Sequence, residues 1–229
     1  MAGLGDSRRA ISVTLHRPPL LRAQLSFGAM WAGEWAVMVG LGVVAFRDGG
    51  AAAVGLVAVL RMVPAALLAP FAAALADAVR REHVLAGVGF VRALTLGAAA
   101  AVIALDGPVT AVYALAVLAT IAQTLYRPAH SALLPSLCRT PAELTSANMT
   151  RGLLDSLATL AGPFAAALLL SASGPAAVFA ACAAASLAAG LLVVALPYEA
   201  PARGWRARPW VCATCSTASR RSSRTAGCC

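Results

Sequence analysis

The amino-acid sequence predicts an all-α, polytopic membrane protein with six transmembrane helices. Of its 229 residues, 60% are hydrophobic and only 12% are charged, whereas a soluble domain carries about 25% charged residues. Residues 156–198 contain no charged side chain. This stretch is too long for one membrane span of about 20 residues and is suited to two. A soluble globule, a disordered chain and a coiled coil are therefore disfavoured.

Six apolar segments within a transmembrane domain at residues 23–198 define the predicted spans. They lie at residues 24–46, 51–75, 84–105, 109–126, 153–171 and 176–196. The loops after the first, third and fifth spans are short and rich in turn-forming Gly, Pro, Asp or Ser. The loops after the second and fourth carry charge, and the connection up to residue 151 contains Pro135 and Pro141. Before the first span, Pro18 and Pro19 are expected to interrupt any helix in the polar segment 1–22.

The distribution of arginine predicts that both ends of the chain face the cytoplasm. All 18 basic residues are Arg, and basic residues concentrate in cytoplasmic loops. With the N-terminus inside, only Arg47 lies outside, and twelve arginines lie near the cytoplasmic face: Arg8, Arg9, Arg17, Arg22, Arg80, Arg81, Arg127, Arg139, Arg151, Arg203, Arg206 and Arg208. The basic charge is therefore attributed to membrane orientation, and nucleic acid is not expected as a partner.

The use of Ala and Arg, without any Lys, indicates a GC-rich, bacterial genome. The expected location is the bacterial inner membrane, with the lipid bilayer itself as a partner.

Three ionisable residues fall inside predicted spans: Glu34, Arg61 and Arg92. A charge at mid-bilayer costs at least about 2.5–3.5 kcal/mol, so it usually has a partner. Glu34 and Arg61 lie near the middle of adjacent spans, which predicts an ion pair lining a cavity. The pair either binds protons or substrate, or it is a structural contact that fixes helix register. Arg92 is nearer the cytoplasmic end of its span, where a long side chain can extend to the interface.

No catalytic or metal site is expected. His16, His83 and His130 fall outside the predicted spans or at their edges, and neither G-x-S-x-G nor H-E-x-x-H occurs. The tail contains Cys212, Cys215, Cys228 and Cys229, but the adjacent last pair suits tetrahedral zinc poorly and no His accompanies them. An intramembrane enzyme is therefore disfavoured. An ABC-type permease is disfavoured as well, because the loops are too short.

Four segments form a recognisable pattern. They are Gly33-Glu34-Trp35 in the first span, residues 73–85 (AALADAVRREHVL), residues 126–135 beginning Tyr126-Arg127-Pro128, and Leu160-Ala161-Gly162-Pro163 in the fifth span. Over residues 20–200 the chain resembles the N-terminal six-helix half of a major facilitator superfamily transporter, in the branch of bacterial multidrug and siderophore exporters. The resemblance implies one half of a twelve-helix fold.

The resemblance also implies roles for particular residues. In the loop at residues 73–85, Asp77 and Arg81 match the charges of the family's cytoplasmic latch, while Ala73, Ala78, Arg80 and Glu82 depart from its pattern. Asp77 and Arg81 can equally form a solvated i,i+4 contact. Arg127 and Pro128 match the exit of span four, and Gly162 and Pro163 match the antiporter motif of span five.

The implied function is secondary active transport, as a proton-coupled exporter of small molecules such as drugs or siderophores. Glu34 is the coupling candidate, with Arg61 and Arg92 as charge partners, and no cofactor is expected. One half supplies only one wall of a central site, so a C-terminal six-helix half is an expected partner. The alternative is a non-transporting truncated protein, or a half-size membrane protein that acts only by pairing with another subunit.

The basic tail at residues 199–229 has two interpretations. It contains six of the 18 arginines and four of the six cysteines. A one-base shift in GC-rich codons turns Cys codons into Leu codons, which favours a frameshift product. The alternative is a genuine basic segment lying on anionic lipid.

Overall fold

A computed structural model describes residues 17–78, 80–138 and 140–194, except for the side chains of residues 72–78. The predicted tail and the N-terminal segment up to residue 16 lie outside the described residues. The described part contains five α-helices: α1 (Pro18–Ala78), α2 (Arg81–Ala104), α3 (Val109–Leu137), α4 (Pro141–Ser173) and α5 (Pro175–Val194). All five are long and apolar enough to cross a membrane.

Helix α1 contains a sharp break at Gly49 and Gly50. Gly50 has φ 64°, a left-handed conformation that glycine adopts without steric cost. Beyond the break the chain turns back, because Arg61 Nη2 lies 2.6 Å from Glu34 Oε1 across 27 residues of sequence. In a straight helix these residues would be about 40 Å apart. We call residues 18–48 the first arm of α1 and residues 51–78 the second arm.

The helices extend further than the sequence predicted. The first arm begins at Pro18 because proline is tolerated in the first turn, where its missing N–H needs no partner. Helix α3 continues past Pro128 and Pro135 to Leu137, although its span was predicted to end at residue 126.

Helix α4 begins at Pro141, not at residue 153. Thr140 caps it, since its Oγ1 accepts a hydrogen bond from the backbone N–H of Glu143 at 3.2 Å. The connection predicted as polar loop is therefore mostly helix.

Small residues bring the helices close together. Helix α2 packs against α3 and α5, and α1 packs against α3, α4 and α5. At the α2–α5 crossing, a Cβ on Gly89 would lie 2.7 Å from the Cα of Gly190. Membrane helices associate through such small faces because lipid provides no hydrophobic force between them.

Two apolar clusters are separated along the helices by a charged layer. One cluster includes Val37, Leu96 and Phe179, and the other includes Phe27, Val88 and Tyr126. Glu34 lies between these clusters on the first arm, and Arg92 lies between them on α2. The helices thus place the charged side chains midway along the bundle.

Candidate functional site

Glu34 is the centre of an ion cluster that joins three helical segments. Its Oε1 accepts a hydrogen bond from Arg61 Nη2 at 2.6 Å, and its Oε2 accepts one from Arg92 Nη1 at 2.7 Å. The carboxylate therefore connects the second arm of α1 to α2. A carboxylate that accepts from two guanidinium groups forms the stronger, charge-assisted kind of hydrogen bond.

Helix α3 supplies the polar contacts that orient both arginines. Arg61 Nε donates to Thr120 Oγ1 at 2.8 Å, and Thr120 in turn donates to the carbonyl oxygen of Ala116. Arg92 Nη1 also donates to the carbonyl oxygen of Ala119 at 3.3 Å. Adjacent residues of α3 thus hold one arginine each.

A cavity of about 220 Å³ adjoins this cluster. Its polar lining comes from Glu34, Arg61 and Thr120, and the remaining lining residues are apolar: Met38, Leu41, Gly42, Ala45, Val54, Val57, Ala58 and Met62. The cavity lies between the two arms of α1, with α3 contributing Thr120. It combines an apolar wall with a few convergent polar groups, which is the usual composition of a small-molecule site.

The structure corrects the expectation that Arg92 extends to the membrane interface. Its side chain is only 1% exposed and is paired with Glu34. Arg92 lies halfway along α2, and the neighbouring residues Val88 and Leu96 are buried in the two apolar clusters. The side chain therefore points into the bundle. The predicted pair of Glu34 and Arg61 is thus part of a three-residue cluster.

Gly162 lies where α4 crosses the first arm beside Glu34. A Cβ at this position would lie 2.5 Å from the carbonyl oxygen of Ala32 and 2.7 Å from the Cβ of Trp35. Only glycine allows this approach, because any side chain would collide with backbone atoms. Pro163 follows within the same helix. The predicted Gly162-Pro163 motif is therefore located at a helix contact next to the ion cluster.

Arg127 forms a second set of contacts, near the end of α3. Its Nη2 lies 3.1 Å from Asp155 Oδ2 on α4, and its guanidinium carbon lies 4.2 Å from the centre of the Trp31 ring. The pair is half exposed, with side-chain exposures of 49% for Arg127 and 39% for Asp155. Arg127 thus connects three helices, and Pro128 follows it inside α3.

The structure separates the two residues of the predicted latch onto different helices. Asp77 lies at the end of α1, and its side chain is outside the described residues. Arg81 begins α2, and its Nη1 donates to the carbonyl oxygen of Ala132 at 2.9 Å. Because α1 ends at Ala78, the two residues do not form an i,i+4 pair along one helix.

Comparison with known protein families gives a match over most of the chain. The family model described as Major Facilitator Superfamily matches residues 24–220. The chain belongs to the major facilitator superfamily. The same comparisons gave no match to a curated protein or to a solved structure.

Membership of the superfamily makes the chain a multi-pass membrane protein of a transporter family. Sequence reasoning missed Thr120, whose hydroxyl contacts Arg61 in this member of the superfamily. A threonine in a helix usually bonds to its own backbone, and Thr120 does so as well as accepting from Arg61. No sequence signal distinguishes it from the other threonines.

His130 was also misplaced by sequence reasoning. It was expected outside a span or at its edge, but it lies inside α3 and is fully buried. Its Nε2 is 3.2 Å from the carbonyl oxygen of Ala23, and its ring is 4.8 Å from that of Phe27. The prediction failed because α3 extends eleven residues beyond 126, to Leu137. In this transporter His130 packs against the first arm of α1.

Proposed function

We propose that the chain is the N-terminal half, apparently truncated, of a proton-coupled exporter of small molecules such as drugs or siderophores, with Glu34 as the coupling residue. The observation that carries the proposal is the position of Glu34, which accepts from Arg61 and Arg92 and lines the adjoining cavity. A carboxylate in this position exchanges its partners when it takes up a proton, so protonation and cavity occupancy become linked. Intramembrane carboxylates are generally functional groups of this kind.

The proposal includes six spans, with both chain ends in the cytoplasm of a bacterial cell. Each arm of α1 accounts for one span, and α2 to α5 account for four. This arrangement is supported by the reversal at Gly49 and Gly50 and by the arginine distribution.

The experiment is transport in liposomes under an imposed pH gradient by the purified full-length transporter, which joins this half to the six-helix half that completes it. A fluorescent panel that includes ethidium, a cation, and dansyl-glycine, an anion, reports export. We expect pH-dependent transport by the wild type and its loss in Glu34→Gln. Arg47→Gln, which removes an exposed charge near Gly49, is the matched control and should transport normally. Unchanged pH-dependent transport by Glu34→Gln would remove Glu34 from the coupling role.

A second candidate function is a half-size protein that acts only by pairing with another six-helix subunit. It is favoured by the cavity, whose lining, among the described residues, comes from the two arms of α1 and from α3. One wall of this kind binds a substrate without carrying it across the membrane. Translating the gene beyond codon 200 in all frames distinguishes the two candidates. Six further apolar spans in another frame support a truncated exporter, and their absence supports the pairing role.

A further inference from the structure

The ion cluster has one more positive than negative charge. Two guanidinium groups, from Arg61 and Arg92, share the single carboxylate of Glu34, so the formal charge is +2 − 1 = +1. No other Asp, Glu, Lys or Arg forms an ion pair with these three among the residues that the structure describes. A buried charge without a counter-charge is costly.

Two donor atoms of the cluster also have no hydrogen-bond partner within the described part of the chain. Arg92 is 1% exposed, yet its Nε and Nη2 are buried and unpartnered. Buried polar groups are nearly always satisfied, so the unpartnered Arg92 donors and the unbalanced charge together indicate that the cluster is short of an acceptor among the described residues.

The cavity beside the ion cluster has the polarity that an acidic ligand with an apolar body requires. Its polar lining comes from Glu34, Arg61 and Thr120, so Arg61 is the arginine of the cluster that lines it, and its other lining residues are apolar. A ligand with one acidic group at this polar lining and an apolar body along Met38 and Val57 satisfies both parts. A cationic ligand would instead face an excess of positive charge.

We propose that this site binds a small organic monoanion, a carboxylate with an apolar body, next to Arg61 and Arg92. One negative charge neutralises the cluster, and the carboxylate oxygens accept from the guanidinium group of Arg61, which lines the cavity. The inference rests on the proposed transport function, because it names the chemical class of the substrate. It also assigns Glu34 a second effect, since its carboxylate competes with the ligand for the same guanidinium groups.

The test is equilibrium binding to the purified chain in detergent, measured by calorimetry. Three probes of equal length differ only in the head group: hexanoate, hexylammonium and 1-hexanol. We expect hexanoate to bind at least about tenfold more tightly than 1-hexanol, and hexylammonium to bind more weakly than either. Equal affinities for the three probes, or preference for hexylammonium, would overturn the proposal.

Charge variants are expected to change hexanoate affinity in opposite directions, and misfolding cannot produce tighter binding. Glu34→Gln raises the formal charge to +2 and should strengthen hexanoate binding about tenfold. Arg61→Gln should weaken it by a similar factor, while Arg61→Lys should retain most of it and Arg47→Gln should leave it unchanged. Weaker hexanoate binding by a folded Glu34→Gln protein would contradict the proposal.

The two proposals can fail separately, because the binding assay does not depend on transport. Hexanoate binding without any transport leaves the monoanion site in place and refutes the exporter. Proton-coupled export of ethidium with no hexanoate binding supports the exporter and refutes the monoanion site.

Discussion

At the scale of single residues, Glu34 and Arg92 contribute unequally to the stability of the ion cluster. Among the described residues, Glu34 is the only carboxylate bonded to Arg61 and Arg92, whereas Glu34 retains Arg61 if Arg92 is removed. The loss of Glu34 therefore leaves two unneutralised guanidinium groups, one of them almost fully buried. The loss of Arg92 leaves a neutral pair.

This asymmetry predicts different effects on the free energy of unfolding. Glu34→Gln should lower it by about 3–5 kcal/mol, the cost of an uncompensated buried charge. Arg92→Met should change it by less than about 1 kcal/mol, because the replacement is apolar and the remaining pair is neutral. Denaturant titration in detergent micelles measures both values.

Arg80→Gln is the control, since the side chain of Arg80 is 59% exposed and its pair with Glu82 is 3.7 Å long. Such exposed pairs contribute about 0–1 kcal/mol. Equal losses in Glu34→Gln and Arg92→Met would refute the asymmetry.

Sequence reasoning derived the contact of Glu34 with Arg61 from their positions along the spans, whereas Arg92 was expected as a charge partner but also as a side chain that can extend to the membrane interface. The contact with Arg61 follows from depth in the membrane, because Glu34 and Arg61 both lie midway along adjacent apolar segments. The contact with Arg92 depends on which way α2 is rotated about its axis, and depth alone does not determine rotation. The small residues of α2, such as Gly89, set that rotation through close packing with α5.

At the scale of the helices, the crossing of α4 over the first arm of α1 depends on Gly162. Gly162→Ala should lower the free energy of unfolding by about 1–3 kcal/mol, the usual cost of overpacking. The physical reason is that the added methyl group would meet the Ala32 carbonyl oxygen at 2.5 Å. Thermal or denaturant unfolding in detergent is the measurement.

Gly152→Ala on the same helix is the matched control, because a Cβ there meets no atom within 4 Å. It should be neutral or slightly stabilising, as alanine is the better helix former. If the two substitutions behave alike, the crossing does not need glycine at position 162.

The ends of the helices were harder to predict than their apolar centres. The motif Thr140-Pro141-Ala142-Glu143 is a helix start, with a Thr cap, Pro in the first turn and Glu three residues after the cap. Reading Pro141 as a loop residue hid this start. Hydropathy finds apolar segments and does not detect a helix whose first turns are polar.

At the scale of the whole molecule, the described surface is suited to lipid. Large apolar side chains on several helices are widely exposed, including Phe71 on α1, Leu94 on α2 and Leu160 on α4. Soluble proteins rarely expose contiguous apolar patches of this kind. The interior, in contrast, holds Glu34, Arg61 and Arg92. Polar groups face inward and apolar groups face outward, as expected of a membrane bundle.

The proposed topology predicts which connections react from which side of the membrane. In a variant with all six cysteines replaced, single cysteines at positions 48, 106 and 173 should react with an impermeant maleimide in right-side-out cells. Cysteines at positions 80 and 140 should react only in inverted vesicles. Reaction of positions 48 and 80 from the same side would show that the second arm does not cross the membrane.

A variant that keeps native Cys138 as its single cysteine provides an internal check on this assay. Cys138 follows α3 and belongs to the side predicted as cytoplasmic. Burial, with the nearby Glu143 carboxylate, raises the pKa of its thiol. Its labelling in inverted vesicles should therefore be slow at neutral pH and should accelerate as the pH rises, since the thiolate is the reactive form.

The break at Gly49 and Gly50 also has a consequence for biosynthesis. The two arms of α1 are consecutive in the chain, so Glu34 and Arg61 can meet as a neutral pair as soon as the second arm leaves the ribosome. The hairpin then enters the bilayer without an isolated charge on either arm, which lowers the cost of insertion. Arg92 arrives later and finds a carboxylate already positioned in the membrane. The order of synthesis is thus also an order of charge neutralisation.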